Sequence, residues 1–140
     1  MFKKYGNKKV GRHDSKVESK FFHQLVHALP NCTIKEKEVI VLHDKFKYMG
    51  EAIRQSKIIP DFMIYYDGKL VAIVDTKGFQ TEKSKLQIKL LKKLLKDKGT
   101  EIPIFLPRTA AERNQTINTL KHLTNETKRY HNPEGDGTRQ

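Results

Sequence analysis

At 140 residues the chain is long enough for one domain with a single ordinary hydrophobic core. Lys and Arg number 28 against 16 Asp and Glu, a net charge of +12, so the expected partner is a polyanion, nucleic acid by default and a membrane surface only second. No apolar run reaches transmembrane length, the opening MFKKYGNKKV lacks a signal peptide's apolar stretch, and the one cysteine, Cys32, excludes an internal disulfide framework and fits a reducing, cytoplasmic setting.

Residues 1–13 form a basic arm carrying Lys3, Lys4, Lys8, Lys9 and Arg12. It reads equally as a frayed terminus and as a segment that lies along phosphates or crosses to a second subunit. Asp14-Ser15 opens a helix that runs to about Leu29 and is stopped by Pro30. Its apolar stripe is Val17, Phe21, Phe22, Leu25, Val26 and Leu29. Glu18 completes a capping box with Ser15, yet it also stands on the inward stripe, where a carboxylate needs a partner. The site reading is preferred for that reason. His23 and His27 have a zinc-compatible spacing, but no third ligand is evident, and surface or core-edge histidines are expected.

The stretch TIKEKEVIVLH, 33–43, contains a strand centred on Val39 to Leu42. Residues 44–57 read as polar and irregular at first, then alternate toward a hairpin from Ile53. They suit either a DNA-contacting loop or a tolerated insertion. Two apolar runs then flank Asp67-Gly68, a strong hairpin signal, in IIPDFMIYYDGKLVAIVDTKG. A basic helix follows from Thr81 to Lys98. Leu86, Ile88, Leu90, Leu91, Leu94 and Leu95 are its expected buried face, with seven lysines on the remainder. Such a like-charged surface costs stability and suits a polyanion partner. EIPIFL, 101–106, is a short final strand. Thr109 and Glu112 cap a last helix whose apolar edge is Ile117, Leu120 and Leu123. Residues 124–140 read as a polar, disordered tail.

Three charged residues punctuate the central hairpin: Asp61, Asp75 and Lys77. Burying them costs several kcal/mol unless they are paired or hold an ion, so they look placed for chemistry. Side chains alternate along a strand, so Asp75 and Lys77 share a face. A regular two-residue Asp67-Gly68 turn would put Asp61 opposite Val74, on the wrong face. The preferred remedy is a three-residue loop pairing Tyr65 with Lys69; a bulge elsewhere in the hairpin does the same.

Pro60-Asp61, thirteen intervening residues and Asp75-Thr76-Lys77 resemble the core of the PD-(D/E)xK nuclease superfamily. The wider frame KKYGNKKV…SKVESKFF…IIPDF…VDTKG, from Lys4 to Leu95, is similar to small phage nucleases of the endonuclease I type, which resolve Holliday junctions. The resemblance implies a restriction-endonuclease-like core in which Asp61 and Asp75 bind Mg²⁺, or Mn²⁺ in its place. The Thr76 carbonyl adds an oxygen, and Glu18 serves a second ion or its water. It makes Lys77 the lysine beside the attacking water. Asp75 stands where many relatives carry Glu, which shortens the reach to metal by one methylene.

The expected architecture is thus α/β in the broad sense, an α+β domain over 14–123. About four strands in a mixed sheet are flanked by helices. The expected activity is Mg²⁺-dependent hydrolysis of DNA phosphodiesters, selective for branched DNA, in phage recombination or processing in a bacterial host. Nucleic acid would be held by Lys83, Lys85, Gln87, Lys89 and the basic arm, by a protein acting as a homodimer. The rival is a non-catalytic basic module that holds DNA or RNA.

Overall fold

The computed structural model describes residues 16–76 and 81–130. The basic arm, Ser15, Lys77 and the last ten residues lie outside that range, and with them the expected Ser15 cap and terminal disorder. The first helix, α1, covers residues 16–28. Eight strands follow, β1 (Cys32–Glu36), β2 (Ile40–His43), β3 (Phe46–Tyr48), β4 (Glu51–Ile53), β5 (Ser56–Ile58), β6 (Phe62–Tyr66), β7 (Lys69–Val74) and β8 (Ile104–Phe105). Helix α2 (Glu82–Asp97) connects β7 to β8, and α3 (Ala110–Tyr130) closes the described chain.

The main sheet has four strands in the order β1-β6-β7-β8, antiparallel except for the parallel β7–β8 pair. That parallel pair follows from the α2 crossover, because parallel strands need a long connection. Alternation along β6 and β7 sends Phe62, Ile64, Ala72 and Val74 to one face, where Phe21, Leu25 and Leu29 of α1 and Ile117 and Leu120 of α3 cover them. Met63 and Ile73 project to the other face, under Leu91 and Leu95 of α2. The result is an α+β domain with a mixed sheet between two helical layers, as the element order predicts. Phe62 anchors α1, with the Phe21 ring edge-on at 5.8 Å and the Phe22 ring stacked at 6.1 Å.

The central hairpin turns on two residues. Asp67 and Gly68 both have positive φ, 54° and 79°, and Tyr66 pairs with Lys69, so the expected three-residue loop is not formed. Such a turn matches the right-handed twist of the flanking strands. The required irregularity lies further along. Ile64 pairs with Ala72 but Tyr65 with Leu70, leaving Val71 as the extra residue of a bulge. That single insertion restores the parity. Phe62 faces Val74, and one step outward Asp61 comes level with Asp75.

Several local expectations are corrected. The strand that joins the main sheet is β1, not the more apolar run at 39–42, which forms β2 and pairs only with β5. Residues 44–57 are no loop. They fold as a ribbon in which β3 pairs with β4 beyond the β2–β5 base. Val26, Leu86 and Leu90 are 44%, 55% and 37% exposed, so the buried stripes of α1 and α2 are narrower than their apolar patterns. Helix α3 does not give way at Thr124, since that residue is itself buried and its hydroxyl donates to the Leu120 carbonyl at 2.9 Å.

Helix α2 starts where its cap places it. Thr81 Oγ1 accepts from the Ser84 amide at 3.0 Å and Ser84 Oγ accepts from the Thr81 amide at 3.0 Å. Thr81→Ala removes one half of this reciprocal pair and is expected to cost about 1 kcal/mol in urea denaturation.

Candidate active site

At one end of the main sheet β1 stops, β6 begins and β7 ends. Antiparallel pairing therefore brings Asp61, just before β6, beside Asp75, just after β7. Asp61 is completely buried. A buried carboxylate must find donors or lose its charge, and Asp61 finds three. The Lys37 ammonium donates to Oδ1 at 2.8 Å, and the amide and hydroxyl of Thr76 donate to Oδ2 at 2.7 and 2.6 Å. The backbone holds the same geometry. The Lys37 amide donates to the Asp61 carbonyl at 3.2 Å, and the Asp75 amide to the Phe105 carbonyl at 3.0 Å.

Burial pushes the Asp61 carboxyl upward, but hydrogen bonding with Asp75 and donation from Lys37 and Thr76 outweigh it and hold the group down at about 2. The β6–β7 register sets the two carboxyl groups side by side at this sheet end. Two acids this close share a proton or a cation, because two bare charges repel. One carboxylate oxygen of Asp75 is shut away from solvent as well.

Glu18 approaches from α1. Its Oε1 lies 3.2 Å from the Lys37 ammonium, which therefore bridges Glu18 and Asp61. Burial, then the negative charge of Asp61, raises the Glu18 pKa against the pull of Lys37. Burial works against the charge on Lys37, but the hydrogen bonds and charges of Asp61 and Glu18 win and raise its pKa. The ammonium stays protonated and neutralises a spot where carboxylates converge.

Lys37 is the residue that reading the sequence missed. It follows β1 with φ of 58°, and this left-handed turn ends the strand at the carboxylates. The signal in the sequence was general only: converging buried acids require a cation, and many lysines could supply it.

The structure places Asp61 beside Asp75 and Thr76, with Glu18 joined to Asp61 through Lys37. The Thr76 amide and hydroxyl also fix Asp61, a role the sequence reading did not assign to them. Lys77 and the basic arm lie outside the described residues. Lys83, Lys85 and Lys89 are exposed on α2, and Lys85 is 3.6 Å from Glu82. Gln87 is half-buried, and its Nε2 donates to the Lys57 carbonyl at 3.2 Å in an exposed contact that ties β5 to α2.

Among the described residues no three His, Cys, Asp or Glu side chains stand close enough to hold a metal ion as arranged, and this includes His23 and His27. The donor chemistry still suits a hard divalent cation. Asp61 and Asp75 offer carboxylate oxygens side by side, and Lys37 already sets a positive charge between Asp61 and Glu18. Asp61 and Asp75 would hold Mg²⁺, with Glu18 next to them.

The depressed pKa of Asp61 has a sign that can be measured. The unfolded chain takes up the proton first as pH falls, so Asp61 stabilises the fold fully above its ordinary value of 3.8 and loses that contribution down to about 2. About 2 kcal/mol of unfolding free energy should disappear across this window. Glu18, with its raised pKa, acts in the opposite sense and blunts the slope at its upper end. Urea denaturation between pH 2 and pH 6 checks this, and Asp61→Asn should flatten the curve.

Among the described residues no helix is long and apolar enough to cross a membrane. No curated protein and no solved structure matches the chain significantly. One family does match, over residues 2–104, a span that holds α1, the whole hairpin, α2 and every carboxylate of the cluster. The chain belongs to that family, described as a protein of unknown function (DUF1064).

Proposed function

We propose that the protein is a divalent-metal-dependent DNA endonuclease of the PD-(D/E)xK kind, acting on branched DNA in the cytoplasm of a bacterial host. The observation that carries this reading is the meeting of acids at one sheet end, where Asp75 lies beside Asp61 and the Lys37 ammonium bridges Asp61 to Glu18. A purely structural ion pair would not need three acids from three separate elements. Bound there, Mg²⁺ would supply an activated water and offset charge on the phosphate.

The chain's own residues supply the rest. Thr76 and Lys37 keep Asp61 ionised and in one orientation. Asp75 offers the second carboxylate. Glu18 is held back by Lys37, ready to accept a proton or a cation. Lys77, two residues past Asp75, is assigned to orient the attacking water and to meet the charge developing on phosphate. The excess of +12 draws the polyanion to this surface, and the lysines of α2 meet its backbone. A homodimer would supply the second active site that resolving a junction requires.

Incubating the purified protein with supercoiled plasmid and with a four-way DNA junction, with and without Mg²⁺, tests the proposal. Strand cleavage that appears with Mg²⁺ and vanishes on chelation is the expected result. No cleavage of any DNA or RNA in Mg²⁺ or Mn²⁺ would leave a basic binding module instead.

A further inference from the structure

The ribbon of β3 and β4 is two-faced. Phe46 pairs with Ile53 and Tyr48 with Glu51, so these four share one face. Lys47 pairs with Ala52 on the opposite face, and Lys45 and Arg54 flank the two strand ends at positions that continue this alternation. One side of the ribbon is therefore aromatic and the other cationic, written in the sequence as the alternation Lys45-Phe46-Lys47-Tyr48.

Nothing in the described fold covers the aromatic side. Phe46 is 50% exposed, Tyr48 63% and Met49, at the tip, 92%. Among the aromatic rings of the described residues Phe46 meets one, that of His43, with centroids 5.6 Å apart in a T-shaped arrangement. The tip is also conformationally costly. Met49 has φ of 47°, a left-handed conformation that asparagine or glycine adopts with less strain. A large apolar side chain held there at full exposure points to a partner. The ribbon is nonetheless firmly mounted. Ile40, Leu42 and Ile58 at its base pack into the core beneath α2, and Gln87 fastens β5.

We propose that this ribbon reads nucleic acid with exposed bases, stacking them on Phe46, Tyr48 and Met49 while Lys45, Lys47 and Arg54 hold phosphates. Continuous duplex hides its base faces within the stack and offers only phosphates and groove edges. A single strand, or the boundary where a duplex opens, presents base faces and backbone together. That is the chemistry a thin blade with one aromatic and one cationic side can satisfy. The inference rests on the nucleic-acid partner proposed above but not on catalysis. It narrows the substrate to DNA with unpaired or unstacked bases.

Fluorescence anisotropy on the full chain, in chelator so that no cleavage occurs, tests it with three probes: a single strand, a duplex carrying a single-stranded flap, and continuous duplex of equal length. Phe46→Ala with Tyr48→Ala should weaken flap and single-strand binding about tenfold or more, with continuous duplex changed less than twofold. Removing Lys45, Lys47 and Arg54 should lower the slope of log K against log salt by roughly 2 to 3. Lys47→Glu alone should move it in the same direction. The matched control, Lys20→Ala with Arg108→Ala and Lys121→Ala, removes three charges far in sequence from the ribbon and should have a smaller effect. A 2-aminopurine base at the flap boundary should lose its response in Tyr48→Ala. Thermal unfolding unchanged from wild type establishes that the variants fold.

Equal losses on flap and continuous duplex, or a control as damaging as the ribbon variant, would overturn the proposal. So would unaltered DNA binding in the aromatic variant together with lost binding to anionic lipid vesicles or lost self-association. A protein that binds the flap through the ribbon but never cleaves DNA removes the nuclease and leaves this inference standing.

Discussion

Asp75→Asn is expected to lower Mg²⁺-dependent cleavage at least about a hundredfold while leaving DNA affinity unchanged or improved. The substitution keeps the side chain's size and its ability to hydrogen-bond to Asp61, so the hairpin end should survive. What it removes is an oxygen pair that can ionise and hold a cation beside the buried Asp61. An acid in that place repels a phosphate unless a cation intervenes, which is why losing it costs turnover and not binding. Single-turnover cleavage and anisotropy on the same preparation separate the two effects. Undiminished turnover in the pure variant would take Asp75 out of the mechanism. Lys77→Ala should be nearly as inactive yet still bind metal, because a lysine beside the water is no ligand.

Asp61→Ala is expected to show the largest loss of stability, about 3–5 kcal/mol. Three short donor contacts end on this side chain, and truncation leaves the Thr76 amide and hydroxyl without their acceptor. It also leaves Lys37 with Glu18 as its only nearby acid among the ion pairs of the described residues. The midpoint of thermal unfolding should fall by roughly 10 °C for a chain of this length. Inactivity of an Asp61 variant therefore cannot by itself assign a catalytic role, since the same residue holds the sheet end together. The conservative Asp61→Asn separates the two roles. It should unfold at a temperature between those of wild type and Asp61→Ala, and it should not cleave DNA. A thermal midpoint in Asp61→Ala equal to wild type would show that the cluster contributes nothing to folding.

Much of this architecture is local and so was legible in the chain itself. The Thr109 cap, the Pro30 stop and the Asp67-Gly68 turn act through neighbours a few residues away, and each appears where its chemistry placed it. Parity also belongs to the sequence. Because side chains alternate, Asp61 and Asp75 could share a face only through an irregularity, and one exists. Which irregularity was beyond reach. The turn itself accommodates either two or three residues. The extra residue settles at Val71, where it packs with the α1–α3 core, a choice that depends on helices distant in sequence.

Sheet membership was hidden for a related reason, although the strand expected at 39–42 forms as β2. Val39 to Leu42 is more apolar than Cys32 to Glu36, so hydropathy favours it. Sheet membership goes instead to the segment that can lie along β6, and β1 does so as an edge strand with one face half-buried and the other exposed. Residues 44–57 looked like a loop because a ribbon that buries neither side needs no apolar face of its own. The acids of the cluster were evident in the sequence as charges interrupting apolar runs, a local anomaly of desolvation. Their cation was not. Lys37 is one lysine among many until the end of β1, a left-handed turn and helix α1 bring it between Glu18 and Asp61, and only tertiary packing makes that neighbourhood.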